Sequence, residues 1–255
     1  MSDSQSEILG DQLDLHLVKK RSVAGIIAIT SRTFFLQLIA LVANFLFGIF
    51  LLPEEYGVFY GVSAIIEFFV IFSDVGLAAA LIQKKATLDD HDLTTTFTVQ
   101  QILVNTLALV AFFLSPLIGR FYNLSSAGVW LFRALSISLI LASLKTIPSI
   151  RLERQLEFPK LVIPQIVENI LFYITAVFLA WQGFGVTSFS WAVLVRGLAG
   201  LIVIYLLAPW RPAFGLDKII IRQLFSFGLP FQLNTIIAFV KDKLIIAFLF
   251  KVLQA

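Results

Sequence analysis

Cysteine is absent from the 255 residues, methionine occurs once and histidine twice. Without a thiol there is no disulfide framework, no thiolate nucleophile and no cysteine-held metal. His16 and His91 lie outside the apolar stretches and read as surface residues, with no metal-ligand spacing between them. Charge is also scarce, at 14% against about 25% in an average soluble domain. No basic cluster is interleaved with aromatics, so no nucleic-acid partner is expected. No phosphate-binding Walker sequence and no Gly-x-Ser-x-Gly elbow occurs. Neither an enzymatic site nor a cofactor is therefore expected.

What fills the chain instead is apolar. Hydrophobic residues make up 59%, Phe alone occurs 26 times, and the mean hydropathy is +0.93. A soluble domain of this length could not hide so much apolar surface, because much of its exterior must face water. Seven segments are long enough to cross about 30 Å of hydrocarbon at 1.5 Å per residue. They are 23–51, 57–82, 97–118, 125–147, 161–181, 185–208 and 224–250. None alternates with a period of two, and backbone in lipid must satisfy its own hydrogen bonds. The expectation is an all-α, polytopic transmembrane helix bundle with about seven spans. Residues 1–18 are polar and acidic, Lys19-Lys20-Arg21 follow, and the apolar stretch after them is longer than the core of a cleavable signal, which predicts a retained first helix.

Lys and Arg set the orientation. Lys19, Lys20 and Arg21 precede the first segment, and the longer connections carry Lys84, Lys85, Arg151, Arg154, Lys160, Arg211, Lys218 and Arg222. Alternate loops fall on one side, which predicts a cytoplasmic N-terminus; Arg120 and Lys251 fall on the other.

Charges within the segments need a reason, since each costs about 2.5–3.5 kcal/mol at a helix centre on insertion scales. Arg196 stands far from both ends of its segment, and two readings are open: a residue facing a cavity, or half of an interhelical ion pair. Arg32 sits among Thr30, Ser31, Thr33 and Gln37, a cluster that fits either an interior face or a snorkelling side chain. Glu67 and Asp74 are seven apart, so one continuous helix would put them on one face. Arg133 fits the outer headgroup level and Lys145 the inner one. Glu168, beside Asn169, suits a partner for one of the arginines, and Asp242 stands between Lys241 and Lys243. Cations outnumber carboxylates in these segments, so an interior shared by them would favour an anionic, phosphate-bearing cargo. Arg196, Arg32, Arg133 and Gln37 are the candidate substrate-binding residues. Glu67, Asp74, Glu168 and Asp242 are candidates for ion coupling or ion pairing.

Several short runs resemble those of one family. They are Leu52-Pro53-Glu54-Glu55-Tyr56-Gly57, the stretch from Phe72 to Lys85 with Ser73-Asp74-Val75-Gly76, and Ile147-Pro148-Ser149-Ile150-Arg151-Leu152-Glu153-Arg154. Gly183-Phe184-Gly185-Val186, Pro209-Trp210-Arg211-Pro212 and Arg222-Gln223-Leu224-Phe225-Ser226-Phe227-Gly228-Leu229-Pro230 follow in order. Together they are similar to the N-terminal half of bacterial polysaccharide and oligosaccharide flippases, the exporters of O-antigen and exopolysaccharide. Those belong to the multidrug/oligosaccharidyl-lipid/polysaccharide export superfamily. Gly48-Ile49 and Ala247-Phe248 depart from the family's usual Ala-Arg and Gly-Arg.

The resemblance implies two six-helix lobes around a central cavity, rocking to expose it to either side. It divides this chain into a cytoplasmic segment (1–22), a six-helix lobe (23–208), a cytoplasmic linker (209–223) and the first helix of a second lobe (224–255). A complementary C-terminal half is then an expected partner. The implied cargo is an oligosaccharide on an undecaprenyl-type pyrophosphate, moved across a bacterial plasma membrane among membrane lipids. An ion-coupled antiporter of small solutes and a membrane-embedded lipid-sugar glycosyltransferase or polymerase are the alternatives.

Overall fold

The computed structural model describes the backbone of residues 3–84 and 88–253, and the side chains of 23–84, 88–238, 240 and 241. Among these residues all regular structure is helical: α1 (Asp3–Phe50), α2 (Pro53–Ile71), α3 (Leu77–Gln83), α4 (Asp90–Phe121), α5 (Ser126–Leu144), α6 (Thr146–Arg154), α7 (Phe158–Trp181), α8 (Thr187–Leu207) and α9 (Lys218–Leu253).

Local chemistry fixes where the helices begin. Pro53 opens α2, and the Glu55 carboxylate reaches back to accept the Leu52 N–H at 2.9 Å. Asp89 caps α4 by accepting the Asp92 N–H at 2.7 Å, and Asp92 accepts the Asp89 N–H at 3.2 Å in return. Asp92 is also held by Lys84, whose Nζ lies 2.5 Å away. Ser125 caps α5.

Five helices are long and apolar enough to cross a membrane: Val23–Phe50 of α1, then α4, α5, α7 and α8. The chain is thus a multi-pass membrane protein. About seven spans were expected, and two segments account for the difference. The one at 224–250 lies within α9, whose side chains from 242 onward are outside the described residues. The one at 57–82 is not a single helix. It carries Glu54, Glu55 and Glu67 in or beside its first part and breaks over residues 72–76.

At that break Val75 and Gly76 take left-handed backbone angles, φ 49° and 74°. A Cβ on Gly76 would lie 2.6 Å from the Gly228 carbonyl oxygen, so only glycine permits α9 to come this close. The Gln232 amide of α9 donates to the Ile71 carbonyl, which the end of α2 leaves without a helical partner. Glu67 and Asp74 therefore do not share one continuous helical face, as their spacing predicted. Asp74 accepts the Ala78 N–H at 3.1 Å and caps the start of α3.

The long helices pack in succession: α1 on α7, α7 on α8, α8 on α5, and α5 against α2 and α4. Buried small residues, including Ala108, Ala111, Ala176, Ala180 and Ala192, let the backbones approach. Phe59 stacks on the fully buried Phe189 at 4.2 Å. Gln101 donates to Ser143 and Gln100 to Thr146, each at 3.0 Å. Large apolar side chains also cover the outside, among them Phe45 at 70% and Phe113 at 75% exposure, as a lipid-facing surface requires.

The short runs that carry the family resemblance meet one another in space. Gly185 lies against the Glu55 carboxylate, and Gly76 against Gly228. Arg151 donates to the Pro209 carbonyl at 3.0 Å. Arg154 donates to the carbonyls of Leu81 and Lys84, both at 2.7 Å.

Candidate functional site

Glu168 occupies one face of α7 together with Gln165, Asn169, Phe172 and Tyr173, a set spaced by three and four residues. Facing it, α8 presents Arg196, Gly197 and Gly200, and α5 ends at Lys145. The Lys145 ammonium lies 2.5 Å from one Glu168 oxygen, and the Arg196 Nε lies 3.7 Å from the other. One buried carboxylate thus sits between two cations. Gly200 makes this possible, because a Cβ there would collide with the carboxylate. Arg196 also lies over the Phe172 ring, 5.9 Å from its centroid. Lys145 gains further from its place at the C-terminal end of α5, where the helix dipole favours a positive charge.

These ions form a partition between two cavities. Lys145, Glu168, Asn169 and Arg196 line both of them. The larger, about 420 Å³, is walled by α2 through Tyr56, Phe59, Tyr60, Ser63 and Glu67, and by α1 through Asn44 and Phe47. The smaller, about 340 Å³, contains Arg32 and Gln165. Arg32 donates to the Gln165 side-chain oxygen, and its buried Nε has no hydrogen-bond partner among the described residues. In the larger cavity the Tyr56 hydroxyl lies 2.7 Å from the Asn44 side-chain oxygen and 2.9 Å from the Tyr60 hydroxyl. One wall is therefore hydroxyl- and amide-rich, and the opposite wall is ionic.

Arg196, Arg32, Glu168 and Glu67 converge here, and the other candidates do not. Gln37 is exposed on α1 and lines neither cavity. Asp74 caps α3. Arg133 lies on a separate groove at the end of the bundle where α4 meets α5. The Asp242 side chain is outside the described residues. Lys145 is a central member that hydropathy placed at the inner headgroups, because it closes an apolar run. The sign that it stays inside is the sequence after it: Ile147, Pro148, Ile150 and Leu152 of α6 are buried, so the chain does not enter water at Lys145. Asn44, Tyr56, Tyr60 and Tyr173 carry no charge, and nothing in the linear sequence separates them from other lipid-segment residues.

Among the described residues no group of three or more His, Asp and Glu side chains is arranged to hold a metal ion. The partition presents two cations to both cavities, the charge an anion would meet there.

The helical arrangement is similar to that of a solved transporter, a multidrug resistance MATE family member of the MOP superfamily in an outward-facing conformation. The match has a TM-score of 0.61 and 17% identity, and it covers 83% of this chain and 52% of the other. This chain therefore spans about half the length of that protein. No curated protein matches it. Residues 24–255 match the family of polysaccharide biosynthesis proteins. That match takes in all five membrane-crossing helices but the first residue of Val23–Phe50, and the chain belongs to the polysaccharide biosynthesis protein family.

Proposed function

We propose that this chain forms the first lobe of a transporter that moves a lipid-linked oligosaccharide, anchored through a diphosphate, from the cytoplasmic to the outer leaflet of a bacterial plasma membrane. A second lobe completes the cavity, and the Lys- and Arg-rich loops face the cytoplasm. The observation that carries this reading is the partition of Lys145, Glu168 and Arg196. A diphosphate competes with Glu168 for the two cations, while Tyr56, Tyr60, Tyr173 and Asn44 offer hydrogen bonds to sugar hydroxyls. When cargo leaves, Glu168 pairs with the cations again. The empty cavity then avoids the cost of unpaired buried charge, about 3–5 kcal/mol in general.

The test is flipping of a fluorescent lipid-diphosphate oligosaccharide in vesicles containing the chain together with a complementary lobe. Arg196→Ala is expected to lower the rate at least about tenfold, the loss of one charge-assisted contact, while membrane insertion is unchanged. An unchanged rate overturns the reading. Glu67 and Glu168 lining one cavity favour a second reading, ion-coupled antiport of an organic cation. Uptake of such a cation driven by a pH gradient, with no flipping, selects it.

A further inference from the structure

The groove that holds Arg133 has a composition unlike the central cavity. It measures about 700 Å³ and is lined by Pro116, Gly119, Arg120, Asn123, Trp130 and Arg133 among others. No carboxylate among the described residues lines it. Neither arginine makes an ion pair among the described residues, and the terminal nitrogens of both are without hydrogen-bond partners there.

The groove is built, not incidental. Pro116 has no N–H, so the Phe112 carbonyl four residues earlier loses its helical donor. The Ser115 hydroxyl donates to that carbonyl at 2.6 Å, and in turn accepts the Arg133 Nε at 2.9 Å. The Arg133 guanidinium lies over the Phe112 ring, 5.1 Å from its centroid. Gly119 lets α5 close in, since a Cβ there would lie 2.5 Å from a Val129 methyl. Both arginines line this one groove: Arg133, about 10 Å inside the start of α5, is seated against Ser115 and Phe112, and Arg120 stands on the last turn of α4.

The groove lies where α4 ends and α5 begins. Phe121, Tyr122 and Trp181 are exposed at the same end of the bundle, and Trp130 lines the groove. Such an aromatic ring marks the headgroup level. Two guanidiniums in one groove, without an ion-pair partner among the described residues, call for an anion, and the anions at headgroup level are lipid phosphates. We infer that Arg120 and Arg133 bind the phosphate of a lipid headgroup in the leaflet opposite the Lys- and Arg-rich loops. The ligand is a phosphate on an acyl or prenyl chain, supplied either by resident anionic phospholipid or by a prenyl-diphosphate lipid. The site is separate from the central cavity and does not depend on what that cavity carries.

The test uses the purified chain in neutral detergent, with bound lipid counted by native mass spectrometry. Phosphatidylglycerol, phosphatidylcholine, a short-chain prenyl diphosphate and inorganic phosphate are titrated separately. Phosphatidylglycerol is expected to bind more tightly than phosphatidylcholine. Binding should weaken roughly tenfold in Arg120→Gln and about 100-fold in Arg120→Gln/Arg133→Gln. Displacement of phosphatidylglycerol by prenyl diphosphate at equal concentration identifies the prenyl lipid as the preferred source; failure to displace it identifies phospholipid. Equal binding by the parent chain and Arg120→Gln overturns the inference, as does full competition by millimolar inorganic phosphate. Arg120 is exposed on the last turn of α4, so its variant carries the test even where the double variant does not fold.

Discussion

Two arginine-bearing regions of this molecule differ in one respect that decides their behaviour. In the central cavity Arg196 shares Glu168 with Lys145; in the groove at the α4–α5 end, Arg120 and Arg133 have no carboxylate among the described residues. A cation with an internal counter-ion can exchange it for an external anion and take it back, which suits a site that fills and empties. A cation without one holds whatever anion its surroundings supply. The first arrangement needs space for a carboxylate, provided by Gly200. The second needs a rigid mount, provided by Ser115 and Phe112.

Removing the counter-ion should break this contrast most severely. Glu168→Ala leaves the largely buried Lys145 unpaired and should cost about 3–5 kcal/mol, read as a fall in thermal unfolding temperature in detergent. Lys145→Met/Glu168→Leu, which removes both charges, should recover most of that loss. A double variant as unstable as the single would show that packing, and not charge, sets the stability there.

Filling the space beside the carboxylate should have the next largest effect. Gly200→Ala pushes a methyl into Glu168 and should cost about 1–3 kcal/mol, with slower flipping in the vesicle assay. In the groove, Ser115→Ala removes both the donor to the Phe112 carbonyl and the acceptor for Arg133. Interhelical hydrogen bonds in membranes average about 0.6 kcal/mol and reach about 1.7, so a loss in that range is expected. Smallest of all is Arg120→Gln, which should shift unfolding in phosphatidylcholine by less than about 0.5 kcal/mol, as for an exposed residue with no partner. A large loss would mean that Arg120 holds the fold instead of a lipid.

Hydropathy located α4, α5, α7 and α8 well, because a lipid-exposed helix must be apolar along its whole length. It did not reveal the break at residues 72–76, where Gly76 packs against Gly228 on a helix far along the chain. Residues from Phe72 to Gln83 are apolar enough to read as a continuation of α2, and only Val75-Gly76 marks the left-handed turn. For the same reason the shared face expected for Glu67 and Asp74 does not form. Charge in a lipid segment singled out Arg196, Arg32, Glu168 and Glu67. It also singled out Arg133, because a charge's presence is visible in sequence while its neighbours depend on which helices pack together. The pairing of Lys145 with Glu168 could not be read from its place at a segment end. Gln37 stands five residues after Arg32, and it is exposed on α1.

Absence of native cysteine makes a direct test of the central cavity available. Ser63 lines the larger cavity, and Ser63→Cys provides one thiol whose labelling rate by a polar maleimide can be followed in membranes. The account predicts that a short-chain prenyl-diphosphate sugar slows labelling in a concentration-dependent way, and that Arg196→Ala abolishes this protection. Labelling at the same rate with and without that lipid would contradict it.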